Sequence, residues 1–147
     1  VTDLAPRPDL TNEVRRLAAQ LPPVGRIVSS PLIRCLRLAE GLAAALRLDL
    51  TVDARLRELD FGAWEGLRWD RVPRDQLDQW AADLTGARPH GGETVAEMAV
   101  RVAEALDAVP EGTLIVTHMG VIRAALARVG REGAWEAKLR FGEWVDI

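Results

Sequence analysis

The sequence contains a single cysteine, Cys35, which excludes an internal disulfide and any zinc site built from several cysteines. Its two histidines are not matched by carboxylates at metal-ligand spacing, so we expect neither a metal nor a cofactor. No apolar run is long enough to cross a bilayer, and no signal peptide is recognisable. These features predict a cytoplasmic protein without a membrane partner.

Lysine is also nearly absent, because Lys138 is the only lysine among the 19 basic residues. The formal net charge of −3 lacks the positive excess of proteins that bind nucleic acid by charge, and we expect no nucleic-acid partner. A chain of 147 residues with 48% apolar and 28% charged residues is typical of one globular domain with a core. No repeat or linker divides it, so residues 1–147 are predicted to form a single domain.

Short apolar runs alternate with helical patterns along the chain. The runs predict buried strands, and the 3.6-residue spacing between them predicts helices. The strands are predicted at 27–28, 50–52 and 114–117, and the helices at 11–21, 32–48, 93–109 and 119–129, with 69–84 partly helical. This alternation favours a mostly parallel sheet covered on both faces. The predicted fold class is therefore α/β, a single three-layer α/β/α domain.

The two ends of the chain do not share this pattern. Residues 1–10 contain two prolines and no periodicity, so an irregular lead-in is predicted. The apolar tail at 141–147, FGEWVDI, could form an edge strand. An edge strand of that kind could pair two copies of the chain, which would make the protein a homodimer.

One of the two histidines, His118, follows the most apolar of the strands. Residues 114–117 show no polar alternation, as in a strand buried on both faces of a parallel sheet. His118 is therefore predicted at the carboxyl end of a central strand and beside a helix N-terminus. Ligands bind there in open α/β sheets, and free N–H groups favour anions. A histidine at a strand end is often structural, so a functional interpretation depends on partners elsewhere.

Arg34 lies in a similar position after the strand end Ser29-Ser30. It is predicted in the first turn of a helix, with Ser30 as the cap, where a positive side chain is unfavourable to the helix dipole. A guanidinium beside free N–H groups would bind an anion well. The alternative is an ordinary exposed surface arginine.

Glu58 lies in an irregular loop at 55–66, among apolar and aromatic residues. Partial desolvation there would raise the pKa of its carboxyl group and suit a general acid. Alternatively, Glu58 pairs with a neighbouring arginine on the surface. Asp60 and Glu65 compete for the same role, and composition does not rank the three acids.

Two other features carry weaker signals. Gly91 and Gly92 precede a helix and would allow an anion to approach the backbone, but a plain helix start with Glu93 near the dipole explains them equally well. His90 is expected to be an exposed loop residue. Cys35, within a helical run, is expected to be a small core residue.

Four of these segments together resemble the histidine phosphatase superfamily, the group that includes the cofactor-dependent phosphoglycerate mutases. They are SSPLIRC at 29–35, LRELDFGAWEG at 56–66, PHGGET at 89–94 and VTHMGVIRA at 116–124. The segments occur in the order and at the spacing of the family. RELDFGAWEG is most similar to the small phosphatases of the α-ribazole phosphatase type.

The resemblance implies roles for three residues. Arg34 matches the arginine that grips the transferred phosphoryl group, and Glu58 matches the acid that protonates the leaving oxygen. His118 matches the second histidine, which hydrogen-bonds the phosphoryl oxygens, while Ser29 and Ser30 match supporting positions. The implied activity is hydrolysis of a small phosphorylated substrate through a phosphohistidine. Phosphoryl transfer of the mutase type and a non-catalytic module that binds a phosphate ligand or a partner are the alternatives.

One departure from the family is serious. The nucleophile of the family is another histidine, in an Arg-His-Gly motif after the first strand, and this sequence contains no such motif. Residues 2–4 resemble the segment that comes directly after the motif in the family. Either the natural protein carries the strand and motif ahead of Val1, or the protein is a shortened pseudoenzyme. We favour the first, because loss of a central strand exposes sheet edges, and we expect the domain as given to be N-terminally incomplete and inactive.

Overall fold

A computed structural model describes residues 9–147. The expectations for the lead-in before Asp9, including residues 2–4, lie outside the described residues. Among residues 9–147, no helix combines the length and hydrophobicity that a membrane crossing requires.

Within this described part, a sheet of parallel strands lies at the centre of the fold, with the strand order β2-β1-β3. The strands are β1 (Arg26–Ser29), β2 (Leu50–Val52) and β3 (Thr113–Val116). Ile27 of β1 pairs with Leu50 on one side and with Leu114 on the other. The predicted parallel sheet is therefore confirmed, and β1 is its central strand.

The helices follow the predicted positions closely. They are α1 (Leu10–Gln20), α2 (Ile33–Leu46), α3 (Arg74–Ala82), α4 (Val95–Ala108) and α5 (Met119–Arg128). Thr94 begins α4 with a capping box, in which its hydroxyl accepts the N–H of Glu97 and the Glu97 carboxylate accepts the N–H of Thr94. The prediction for α2 was wrong in its cap, because Leu32 and not Ser30 is the N-cap residue. The Ser30 hydroxyl has a different partner, described below.

The helices cover both faces of the sheet. One core contains side chains of α1 and α2 and the β1 residue Ile27, and the other contains side chains of α4 and α5 and the next residue, Val28. Successive strand residues thus enter opposite cores, as the pleat of a sheet requires. The predicted three-layer α/β/α arrangement is confirmed.

The outer edge of β3 borders a cavity. No strand within residues 9–147 pairs with this edge. The cavity has a volume of about 590 Å³, and all of β3 lines it together with apolar side chains of both cores and residues 139–147. Among the described residues, this edge of the sheet therefore adjoins the cavity and no further strand.

The C-terminal tail lines this cavity without pairing to the sheet. The edge strand expected at 141–147 was wrong, because the backbone turns at Gly142, where φ is 79°. The N–H of Arg140 donates to the Glu143 carboxylate and the N–H of Glu143 donates to the Arg140 carbonyl, which closes the turn. A homodimer stays a prediction, and a strand in this tail no longer supports it.

Aromatic side chains of the loop before α3 pack around His90. The ring centroids of Phe61 and Trp64 lie 5.7 and 4.9 Å from that of His90. His90 is only 2% exposed, so the expectation of an exposed loop residue was wrong. The N–H of Gly92 donates to His90 Nδ1 at 3.0 Å, which places the proton of the neutral ring on Nε2. Burial lowers the pKa of this imidazole.

Burial of both histidines predicts a loss of stability in mild acid. Burial lowers the pKa of His90, and it lowers that of His118 to about 3, from an ordinary value of 6.5. Below pH 6.5 the unfolded chain binds protons that the folded chain does not bind, so stability present at neutral pH is lost as the pH falls. The free energy of unfolding should drop by at most about 1.4 kcal/mol per pH unit for each histidine that stays neutral. Denaturant titrations between about pH 7.5 and 5 measure this slope.

The same titrations on His90→Gln and His118→Gln assign the slope to each residue. Each variant removes one titrating group and should flatten the dependence. Carboxylates contribute little in this window, because their ordinary pKa values lie below it. A slope that is unchanged in both variants would contradict the prediction.

Candidate active site

His118 lies where β3 ends and α5 begins. It is the N-cap residue of α5, with an extended backbone, and its carbonyl accepts the N–H of Ile122 at 2.9 Å. Just before it, the Thr117 hydroxyl donates to the Leu56 carbonyl at 2.8 Å, which ties the loop at 55–66 to the end of the strand. The predicted location of His118 at a strand end and beside a helix N-terminus is confirmed. The predicted central position of its strand is not observed among residues 9–147, where β3 lies at the edge of the sheet.

The His118 imidazole packs against the start of α2. Ser30 Oγ lies 2.8 Å from His118 Nε2 and also accepts the N–H of Leu32 at 3.3 Å. This contact explains why Ser30 does not cap α2 in the expected way. Cys35 is buried in a core as predicted, and its Sγ also lies 3.4 Å from His118 Nε2. No pattern in the sequence indicated that sulfur contact.

The environment keeps His118 neutral at physiological pH. Its side chain is 6% exposed, and its pKa falls to about 3 because of burial first, then the positive charges of Arg34 and Arg101. A neutral imidazole offers one N–H donor. An anion held beside the ring would offset the two positive charges and favour the protonated form, which offers a second donor.

Arg34 occupies the first turn of α2, as predicted, and is only partly exposed. Its guanidinium acts on the charge state of His118, and both side chains line the 590 Å³ cavity. The interpretation as an ordinary exposed arginine is therefore disfavoured. The pair presents a guanidinium and an imidazole to the same space, a combination suited to a phosphoryl group.

The carboxylate of Glu58 turns toward the start of α5. Its Oε1 accepts the N–H of Leu59 at 3.0 Å, and its Oε2 accepts the N–H of Gly120 at 3.4 Å. A Cβ at position 120 would lie 2.3 Å from Glu58 Oε1, so a larger residue there would displace this carboxylate. A surface pair with Arg55 does not form, since that arginine binds Asp53 at 2.6 Å. The Glu58 carboxylate instead accepts the two backbone N–H groups, one of which belongs to the first turn of α5.

The two competing acids bond within their own loop. Asp60 Oδ1 accepts the N–H of Gly62, and Glu65 Oε1 accepts the N–H of Phe61, each at 2.9 Å. Of these three acids, Glu58 alone lines the cavity found in the described residues. The structure thus ranks the three candidates where composition did not.

Polar groups of the segment at 90–93 bind other groups of the protein, and the segment does not line the cavity. The N–H of Gly92 donates to His90, and the N–H of Glu93 donates to the Asp60 carbonyl at 2.9 Å. These two donors are therefore engaged within the loop. The Glu93 carboxylate binds the guanidinium of Arg101 at 2.6 Å. The explanation as an ordinary helix start is the correct one.

Arg101 contacts the segment that carries Glu58, and no motif in the sequence singles it out. It lies on α4 between the buried residues Met98 and Val102, and its side chain is 14% exposed. The available signal was a charged residue adjoining an apolar helical stripe. That signal does not reveal which loop the side chain reaches.

Together these contacts gather three kinds of side chain at the carboxyl end of β3. Arg34, Glu58 and His118 line one cavity, and they supply a fixed positive charge, a carboxyl group and an imidazole. No cluster that could hold a metal ion occurs among residues 9–147. Such a set can bind a tetrahedral anion and exchange a proton with it.

The chain is similar to a known family and to known proteins. The model of the histidine phosphatase superfamily (branch 1) matches residues 11–142. The chain is 39% identical over 111 residues to a bifunctional protein of Mycobacterium tuberculosis, covering 70% of this chain and 30% of that protein. It is 35% identical over 127 residues to a probable phosphoglycerate mutase of Citrobacter koseri, covering 80% of this chain and 59% of that protein. It thus spans less than two thirds of both relatives.

Solved structures show the same fold. A phosphoglycerate mutase from Thermus thermophilus superposes with a TM-score of 0.71 at 30% identity, covering 90% of this chain and 74% of that chain. A mycobacterial glucosyl-3-phosphoglycerate phosphatase superposes with a TM-score of 0.66 at 30% identity, covering 86% and 67%. Since the family model spans nearly all of the described residues and the three-layer fold agrees with it, the chain belongs to the histidine phosphatase superfamily.

Proposed function

We propose that the protein is a phosphomonoester hydrolase that acts on a small phosphorylated metabolite through a phosphohistidine intermediate. The convergence of Arg34, Glu58 and His118 on one cavity carries this proposal. The family to which the chain belongs contains phosphatases and mutases, which supports enzymatic phosphoryl transfer in general.

In the proposed reaction, the histidine of the family's Arg-His-Gly motif attacks phosphorus in line. Arg34 and His118 hold the equatorial oxygens as negative charge builds, and Glu58 protonates the leaving alkoxide oxygen. Water then attacks the phosphorus of the phosphohistidine, and Glu58 accepts a proton from that water. The P–N bond breaks, inorganic phosphate leaves, and the nucleophile and acid return to their starting states.

The free edge of β3 supports a location for the strand that would carry this nucleophile. Within residues 9–147 no strand pairs with the outer edge of β3, and that edge lines an apolar cavity large enough to accept further chain. A strand there would pair with the backbone groups of that edge, and a parallel strand would end near His118. We therefore propose that the motif belongs to the natural protein, in preference to a shortened pseudoenzyme.

The segment between Gly66 and Gly92 favours hydrolysis over mutase-type transfer. It contains α3, a helix of 9 residues, and no larger insertion that would enclose a substrate. A site left open to water suits a hydrolase.

We propose α-ribazole phosphate as a candidate substrate, from the similarity of RELDFGAWEG to that phosphatase type. The single buried cysteine, Cys35, is consistent with the proposed cytoplasmic location.

Substitution of the anion-binding residues tests the proposed activity. In protein expressed from the whole natural reading frame, Arg34→Ala and His118→Ala should each lower kcat/KM by about 10²–10³-fold, because each removes a donor to the transferred group. Hydrolysis of p-nitrophenyl phosphate is the measurement. Arg37→Ala is the matched control, since Arg37 lies one turn along α2 and pairs with Glu40 on the surface. Near-parental rates for both site variants would show that the pocket is assigned wrongly.

The 147-residue chain tests where the nucleophile lies. With Arg34 and His118 present but no Arg-His-Gly motif, it should bind inorganic phosphate saturably and show no turnover. Calorimetry measures the binding, and release of p-nitrophenol measures turnover. Turnover by this chain would place the nucleophile elsewhere. Binding without turnover by the whole-frame protein would favour the non-catalytic alternative.

A further inference from the structure

The Arg101 side chain joins α4 to two separate loops. Its Nε and Nη2 donate to the two carboxylate oxygens of Glu93 at 2.6 and 2.7 Å. Its Nη1 donates to the carbonyls of Arg55 and Arg57 at 2.5 and 2.8 Å, and its Nη2 donates to the carbonyl of Glu58 at 3.2 Å. One guanidinium thus binds a carboxylate in the bidentate manner and three backbone carbonyls.

These contacts restrain the segment at 55–58 almost completely. The remaining carbonyl, that of Leu56, accepts the Thr117 hydroxyl at 2.8 Å. The four carbonyls of this segment are therefore held by α4 on one side and by the end of β3 on the other. At the end of this fixed backbone, the Glu58 carboxylate reaches the N–H of Gly120.

We propose that Arg101 is a positioning residue for the reaction, one that holds the backbone of 55–58 so that the Glu58 carboxyl group faces the cavity beside His118. This inference rests on the proposed function, because it assigns the clamp to the delivery of a proton. Glu93 is its partner and keeps the guanidinium in place. Arg101 itself bonds to backbone carbonyls and to Glu93, and none of these contacts is to a reacting group.

The geometry explains why arginine occupies this position. Five N–H donors in a planar fork reach a carboxylate and three carbonyls at once, which the single ammonium of lysine does not match. The pair is also largely sheltered, with side-chain exposures of 14% and 18% for Arg101 and Glu93. Loss of the guanidinium would leave a sheltered carboxylate without its partner, so a conservative variant is needed beside the truncating one.

Two phosphate esters with different leaving groups distinguish a role of Arg101 in positioning the acid from a general structural role. A simple alkyl phosphate needs protonation of its leaving oxygen, whereas 2,4-dinitrophenolate leaves without it. In the whole-frame protein, Arg101→Met and Arg101→Lys should lower kcat/KM for glycerol phosphate by about tenfold or more, with little change for 2,4-dinitrophenyl phosphate. Glu58→Gln should show the same pattern more strongly. kcat/KM is the parameter to compare, because it reports the phosphorylation step.

Arg128→Met is the matched control. Arg128 also joins two helices, since it lies at the end of α5 and binds the Ala103 carbonyl and the Asp107 carboxylate of α4. It should lower kcat/KM for the two esters equally or not at all. Equal losses on both esters in the Arg101 variants would overturn the positioning role and leave a structural one.

A second measurement decides the inference even if the whole-frame protein hydrolyses neither ester. In that case the proposed function fails, and the amide proton of Gly120 in the 147-residue chain becomes the readout. Its NMR shift should follow the ionisation of Glu58, because the carboxylate accepts that N–H. Arg101→Lys should weaken this response and Arg128→Met should preserve it. An unchanged response in folded Arg101→Lys and Arg101→Met would refute the positioning role.

Discussion

The pairing of β1 with β3 is the interaction on which the site depends. In this parallel register Ser29 lies opposite Val116, and the N–H of Ser30 donates to the Val116 carbonyl at 2.9 Å. The ends of the two strands are thereby placed side by side, and the helices that follow them begin there and then cover opposite faces of the sheet. Arg34 and His118, separated by more than half of the chain, become neighbours because of this alignment. A slip of the register would separate them and also exchange the residues that enter the two cores.

Burial and fixed charge at this edge then set the chemistry. Burial, and then the positive charges of Arg34 and Arg101, favour a neutral His118. The Glu58 carboxylate accepts the N–H of Gly120 at the start of α5. A phosphoryl dianion bound beside the imidazole would offset the two positive charges and favour proton uptake by His118. The site is therefore suited to coupling the binding of an anion with the charge state of His118.

The sequence predicted the parts of the fold that short-range patterns control. The apolar run before His118 and the helical spacing after it located β3 and α5 closely. The positions of Arg34 and His118 could be predicted for the same reason, since each residue follows a strand end. Two of the errors involve contacts over long separations or between rings. Ser30 turned to a partner 88 residues away, and His90 was buried by aromatic rings whose arrangement no periodicity encodes.

The contacts of Arg101 in the candidate site could not be predicted, because they also join residues far apart in the sequence. Arg101 lies 46 residues from Arg55 in sequence, and a helical pattern reports only the face on which the side chain lies. The three-dimensional structure was also needed to show that Glu58 lines the cavity and that Asp60 and Glu65 do not. All three are acids in one loop, and they differ only in which N–H groups their carboxylates reach.

The outer edge of β3, which no strand within residues 9–147 pairs with, bears on both the sheet and the site. The sequence of β3 is that of a strand buried on both faces, and helices do cover those faces, yet Thr113, Leu114 and Ile115 are only partly buried. All three residues line the cavity beside the strand. A strand that filled the cavity would complete the backbone hydrogen bonds of β3 and, if parallel, would end beside His118. The segment that the fold requires for a closed sheet and the segment that the proposed reaction requires for its nucleophile would then be the same piece of chain.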